Sequence, residues 1–530
     1  MPAAAGQATA TAPAQPGPRR LAAILLNWLK KDLFLRTEGG PVGWRKILLA
    51  AVCVIAATAI SLSRTVGPGS LNTIWIEDAK FLLNQALNNS FWTVLQAPIS
   101  SYYQEPARVI TEIAIQFPLT WAPGVMAIFA AAQYAMYGLV AYIASGPYLR
   151  SPWLRLLIAA PVCAIPLAYT QVNNDLVTVQ FFGLYGAFWT CLWIPGTRAG
   201  KILSPLVMAT VSWTAVLSII FAPLIVARLI VDRSKNAWAL AILWASGAWL
   251  QISETVLGTS THSYNQSNGL FFMVKNYVVR VLPRALFGER SLGGPGANYT
   301  GGATPLHVTS AAGHDALIVG AWVIVLAVIA LAASRFTEPN WTLAGVAAVF
   351  SVGIFFEELF INTDVVQPRY VVAPALLIYT ALVALMRPRL SARPMAKTAI
   401  VSGTQTADIS RGGDPPYPLL ARPMAKTAIV SGAQTADISR GGDPPYPPQW
   451  EKGTAPARAA AVRWLPVAGL AVLLAVAVTL NFRVTNGRTT SPAWTSVVAT
   501  ASSDCTLPGV SGYTFVHEWW FVTIPCSKVR

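Results

Sequence analysis

ILLAAVCVIAATAISLS, residues 47–63, carries no charged side chain and follows directly on Arg45 and Lys46. A helix rises about 1.5 Å per residue, so a run of this length reaches across most of the roughly 30 Å hydrocarbon core of a bilayer. The two cations hold its start at the cytoplasmic surface. Further apolar runs follow along the chain. Of 530 residues, 54% are hydrophobic and 11% charged, and the mean hydropathy is +0.50. A soluble domain carries about 25% charged residues. This deficit, spread over repeated apolar runs, makes lipid the solvent and the chain an all-α polytopic membrane protein.

Lys and Arg orient the remaining runs. Spans are expected at Val125–Ser145, Leu156–Tyr169 and Leu176–Ile194, with Arg150 and Arg155 inside and the turn at 171–175 outside. Ile202–Val231 has basic residues on both flanks, Arg198 and Lys201 before it and Arg228, Arg233 and Lys235 around its end. Two short helices turning near Val216–Ile219 satisfy both flanks, and broken helices of that kind line cavities. Trp238–Ile252, Ala316–Ala333, Trp341–Phe356, Tyr370–Leu385 and Trp464–Leu480 complete a set of about eleven crossings. The N-terminus is then cytoplasmic and the C-terminus extracytoplasmic.

The resulting organisation has five parts. Residues 1–46 hold a disordered Ala/Pro-rich start and an interfacial amphipathic helix, Leu21–Arg36. Residues 47–386 form the transmembrane domain, with outer loops 64–124 and 253–315; in the second, Phe271–Phe287 reads as another interfacial helix. Residues 387–463 are a cytoplasmic linker in which Ala392–Pro418 recurs as Ala421–Pro447, at a period of 29 residues, with Thr404 replaced by Ala433. One period is too weakly apolar to stack as a solenoid, so the repeat reads as a tandem duplication in a linker. Residues 464–480 are the last transmembrane helix and 481–530 a small extracytoplasmic tail domain. Cys505 and Cys526 lie in that tail, where a disulfide is expected, whereas Cys53, Cys163 and Cys191 lie in apolar runs.

The net charge of +16 follows from basic residues flanking spans and does not indicate nucleic acid. There is no Gly-rich phosphate loop, Walker pattern or nucleophile elbow. His262, His307, His314 and His517 are too scattered for a zinc motif, and no metal ligand set is assigned.

The candidate chemistry gathers on the outer side. WIEDAKFL, residues 75–82, places Glu77 and Asp78 side by side with Lys80 near them, and Tyr102, Tyr103, Glu105, Arg108 and Glu112 follow. Carboxylates with aromatics and a cation suit general-base work on a hydroxyl; an acidic helix start accounts for the same pattern. Asn173, Asn174 and Asp175 offer amides and a carboxylate of the kind that bond sugar hydroxyls. Glu254, Glu357, Glu358 and Asp364 cap other spans, and Arg369 and Tyr370 open a returning one. Arg369 suits a phosphate, with Arg280 and Arg284 as partners, or an ion pair to Glu357 or Glu358 across the hairpin.

The acidic pair in W-x-E-D-x-x-F-L, the IPLAYTQVNND turn, the QPRYVVAP start of a late span and the PAW…C…IPC tail together resemble the multi-spanning glycosyltransferases of the GT-C fold, and look similar to actinobacterial members. The resemblance covers most of the membrane region and the tail, and leaves the duplicated insert unmatched. It implies a bacterial plasma (inner) membrane and transfer of a sugar from a polyprenyl-phosphate donor to a glycan or lipid acceptor of the cell envelope. The family's outer-loop acids serve as base or metal partner. That role falls on Asp78, with Glu77 as alternative, and leaves room for a divalent cation. Lys80, Glu105, Arg108, Asn173, Asn174, Asp175, Arg280, Arg284, Arg369 and Tyr370 are then substrate contacts. Two other classes compete: a lipid or glycan transporter or flippase, which needs ionisable groups at mid-span, and a non-catalytic scaffold whose aromatic tail stacks on a partner.

Overall fold

The computed structural model describes residues 18–99, 102–167, 172–257, 269–292, 311–361, 367–389, 454–483, 487–517 and 520–529. The expected disordered start at 1–17, the repeat at 392–447, and Gln171, His262, His307, Asp364 and Trp519 lie outside them. One compact unit comprises residues 1–389 and 463–530, and residues 390–462 form a second. Of the second, only the first residues of the helix Thr454–Leu480 are described.

The fold is helical, with one two-stranded sheet among the described residues. Among the described residues six helices are long and apolar enough to cross a membrane: Trp44–Leu62, Leu119–Ala144, Gly313–Ala333, Trp341–Phe360, Pro368–Leu385 and Val462–Leu480. Three other apolar stretches expected to cross are shorter or interrupted. Pro152–Ala164 is split between two short helices, Val179–Leu192 has 14 residues, and Val216–Val231 opens as a 3-10 turn. The long helix Lys235–Leu257 covers the expected span at 238–252. Among the described residues the structure thus supports a membrane protein in which several of the expected apolar runs are broken rather than continuous.

Exposure separates lipid-facing helices from the core. Trp44–Leu62 leaves Ile47, Leu48, Leu49, Val52 and Ile55 exposed, an apolar band that only lipid covers well. Pro368–Leu385 is instead buried along most of its length, and every residue of Val179–Leu192 is buried. Gly186 brings that central helix against Leu119–Ala144, since a Cβ there would meet the Tyr137 ring at 2.7 Å. Fourteen helical residues rise only about 21 Å. Residues 172–178, just before this helix, are non-helical yet enclosed by protein, the circumstance in which irregular backbone is tolerated at membrane depth.

The loops of the first unit gather at two ends. At one, Thr37 donates to the Ile194 carbonyl, Tyr148 to the Leu33 carbonyl, and Arg228 to Thr190 O at 2.6 Å and Asn236 Oδ1 at 2.9 Å. Asn236 in turn donates to Lys201 O at 2.7 Å, so both flanks of the 198–231 hairpin return to this end. Its tip reaches the other end, where Glu105 N donates to Trp213 O at 3.3 Å. There the first loop, the 172–178 turn and the tail interlock. Arg64 donates to Ile165 O at 2.7 Å and Phe482 O at 3.2 Å; Trp494 donates from its backbone to Asn72 O and from its indole to Leu119 O, both at 2.8 Å. Segments expected outside are bonded to one another, as are those expected inside.

The expected interfacial helices are present in altered form. Pro18–Trp28 exposes Ile24 and Leu25, but its π-helical continuation Leu29–Leu33 buries Leu29 and Leu33. Leu270–Asn276 exposes Leu270 and Phe271, whereas Leu282–Phe287 sinks into the core with Arg284 buried beside Glu289 and Arg280.

The tail forms the helix Trp494–Asp504 and an antiparallel hairpin, β1 (Gly512–His517) and β2 (Trp520–Pro525). Cys505 and Cys526 are disulfide-bonded, and Asn88 donates to Thr523 O at 2.8 Å, seating β2 on the first loop. Cross-linking positions 21 residues apart confines the unfolded tail by about 3 kcal/mol. Cys526→Ser is expected to accelerate limited proteolysis of the tail in detergent-solubilised protein. Unchanged cleavage would mean that packing alone holds it.

Candidate functional site

Glu77 and Asp78 open a π-helical turn, Asp78–Leu83, that continues into Asn84–Asn88. Adjacent helical residues diverge by about 100° or slightly less, so the two acids face different surroundings. Asp78 follows the side that buries Ala79, Leu82 and Leu83. Its Oδ2 accepts from Leu176 N at 2.9 Å and its Oδ1 from Val177 N at 3.0 Å. These N–H groups belong to the irregular backbone ahead of the central helix and need a partner inside protein. Asp78 supplies it.

The 173–175 turn is enclosed as well. Asn174 adopts a left-handed φ of 58°, a conformation that a short amide side chain tolerates. Its Nδ2 donates to Ser61 O and Ser70 Oγ, both at 3.0 Å, and its Oδ1 accepts from Ser61 Oγ at 2.6 Å. Asn173 donates to Thr65 Oγ1, and Asp175 accepts from Asn173 N and Thr178 Oγ1. The side chains expected to meet a substrate thus tie the turn to the first loop.

Arg488, from the tail, completes this knot. Its guanidinium is buried and donates to Asn173 O at 2.7 Å, Asn174 O at 3.0 Å and Thr73 O at 2.8 Å. It also neutralises part of the charge of Asp175 and Asp78. Two carboxylates share one cation here. Burial is the main cause that pushes both carboxyls above their usual range; Asp175 raises Asp78 further, while the backbone N–H groups and Arg488 oppose the shift.

Glu77 points elsewhere. Its Oε1 lies 3.2 Å from Arg369 Nη1, and the two side chains keep 22% and 21% of their surface exposed. The ion pair observed for Arg369 thus runs to the first loop, although buried Glu358 lies within its electrostatic reach. Glu77 Oε2 is buried and has no hydrogen-bond partner among the described residues. The Arg369 guanidinium carbon is 5.9 Å from the ring centroids of both Phe181 and Tyr370. Beside them the Tyr102 hydroxyl accepts from Gln104 Nε2 and Gln180 Nε2, each at 3.2 Å. Burial raises the Tyr102 pKa, against the pull of Arg369. An acid, a cation, a phenol, amides and two aromatic faces thus meet where the first loop joins the Pro368–Leu385 and Val179–Leu192 helices.

Glu105 and Arg108 belong to a neighbouring group. Arg108 is buried and donates to Gln85 Oε1 at 2.7 Å; burial pushes Glu105 up to about 7, with Arg108 opposing the shift. Tyr103 donates to Glu254 Oε2 at 3.1 Å. Lys80 lies 5.2 Å over the Phe81 ring. Among the described residues no three His, Cys, Asp or Glu side chains are arranged to hold a metal ion. Gln180, Phe181 and Arg488 were absent from the sequence-derived set. Gln180 and Phe181 look like ordinary members of an apolar run, and no spacing rule links Arg488 to a loop some 400 residues earlier.

Two outcomes follow from the knot. Arg488→Gln strips a buried cation from two acids and is expected to cost about 3–5 kcal/mol, measured by denaturant unfolding in detergent. The raised carboxyls favour folding when protonated. Their contribution is fully present below the ordinary carboxylate range, about pH 4, and is lost as pH rises through the raised values. Tm should therefore fall from pH 4 towards 8, and less steeply in Asp78→Asn; a flat wild-type profile would contradict this.

Compared with protein-family models, curated proteins and solved structures, the chain matches none.

Proposed function

We propose that this membrane protein is a glycosyltransferase that moves a sugar from a polyprenyl-phosphate donor to a cell-envelope acceptor on the extracytoplasmic face of a bacterial plasma membrane. The observation that carries the reading is the Glu77–Arg369 pair, about a fifth exposed and flanked by aromatic rings where loops meet membrane helices. A lipid-linked donor suits that position, since its tail runs in the bilayer while its sugar reaches the loops.

The geometry favours Glu77 over Asp78 as the base. Both Asp78 oxygens are held by backbone N–H groups, whereas the Glu77 carboxylate is held by one bond from a side chain, Arg369. In the proposed step the acceptor hydroxyl oxygen bonds to the anomeric carbon as the carbon–oxygen bond to phosphate breaks. The electron pair of that bond leaves on the phosphate oxygen, beside Arg369, and the hydroxyl proton passes to Glu77. Tyr102, Gln180 and the Phe181 and Tyr370 rings are placed to hold the sugar. Asp78 acts through position, by fixing the turn on which Glu77 sits. The disulfide supports the sidedness: such bonds persist in oxidising compartments, and the tail is bonded to the site's own loops.

Glu77→Gln should lower transfer by about 10²–10⁴-fold in membranes supplied with a labelled polyprenyl-phosphate sugar. Arg369→Gln should also abolish it, while Asp78→Asn should lose both activity and stability. Retained transfer in Glu77→Gln would remove Glu77 as base, and retained transfer in both Glu77→Gln and Arg369→Gln would sink the mechanism.

A further inference from the structure

Glu77 and Arg369 cannot perform their proposed roles while bonded to each other. Resting on the transferase reading, we infer that donor binding is an anion exchange: the phosphate of an isoprenoid lipid displaces the Glu77 carboxylate from Arg369 and thereby frees the base. Four observations carry this. The contact is a single one, Nη1 to Oε1 at 3.2 Å, rather than the two parallel bonds of a locked arginine–carboxylate pair. Both partners retain about a fifth of their exposure, so an anion arriving from the surface reaches the guanidinium. The partners are 292 positions apart, so no helix or turn depends on the bond. Finally, the neighbouring Asp78 stays clamped to Leu176 and Val177, and the backbone at Glu77 is held whether or not its side chain swings away.

Charge balance makes the exchange favourable in one direction. A cation flanked by two rings and largely enclosed needs an anion at all times. The donor's phosphodiester, with two non-bridging oxygens sharing one negative charge, can meet the guanidinium through two bonds where the carboxylate uses one, and the phosphate left after transfer carries more charge still. Glu77 released towards solvent keeps its charge at little cost. Binding is then ordered: an acceptor hydroxyl meets an available base only after the donor phosphate has taken the arginine. Without donor the base is tied up.

The test is binding of farnesyl phosphate, and separately of inorganic phosphate, to the full-length protein in detergent by titration calorimetry. Glu77→Gln, which removes the competitor, should bind farnesyl phosphate about three- to ten-fold tighter while losing transfer. Glu77→Asp, with a shortened reach, should show a smaller gain, and serves if the glutamine variant is poorly folded. Arg369→Gln should lose binding. Wild-type or weaker affinity in Glu77→Gln alongside loss in Arg369→Gln would overturn the exchange and leave the phosphate role of Arg369 intact. Full binding by Arg369→Gln would overturn the transferase arrangement itself. Equal affinity of the wild type for inorganic phosphate and farnesyl phosphate would overturn the lipid source, whereas a clear preference for the lipid supports it.

Discussion

The Arg488 guanidinium is the constraint on which the rest of the site depends. An irregular stretch of backbone, residues 172–178, precedes the central helix and is buried in protein, so its carbonyls and N–H groups must be met by protein. Arg488 takes the carbonyls of Asn173 and Asn174, and Asp78 takes the N–H groups of Leu176 and Val177. Neither charge is tolerable in that place alone. Each reduces the cost of burying the other, and together they fix the height of the first loop against the membrane helices. Glu77 inherits its position from that arrangement.

This explains why adjacent carboxylates have different surroundings. A strand would turn them to opposite faces and an ordinary helix would part them by about 100°. The π-helical turn from Asp78 to Leu83 sends Asp78 inwards with Leu82 and leaves Glu77 about a fifth exposed. A wider helical turn is energetically poor by itself and recurs near functional sites. Here the two bonds to Asp78 and the packing of Leu82 and Leu83 hold it in place.

Much of the membrane domain was legible in the sequence, because hydrophobicity is a local property and Lys and Arg mark the ends of spans. Trp44–Leu62 and Trp341–Ile361 fall almost where their apolar runs do. The opposed flanks of 198–231 exposed a hairpin through charge alone. Interruption elsewhere was harder to see: Pro152–Ala164 and Val179–Leu192 read as spans because side chains, not backbone breaks, dominate hydropathy. The site was half legible. Glu77, Asp78 and Arg369 stood out as charges beside apolar runs, but spacing cannot say which acid faces the arginine. The burial of Asn173 and Asn174 was hidden, since amides in a short turn look the same whether they bond solvent or a neighbouring loop. Arg488 was invisible, being one basic residue in a polar tail.

The reach of Arg488 also sets the order in which the molecule is made. Synthesis delivers the first loop and the 172–178 turn long before the tail, and residues 70 and 488 are 418 positions apart. Contacts so distant in sequence form late. Until the last helix is inserted and the tail has arrived, Asp78 and Asp175 lack their cation and the loops lack their fastening. A chain released early is thus a bundle of helices whose first loop and 172–178 turn are not yet fastened. The tail closes a knot that the earlier segments leave open.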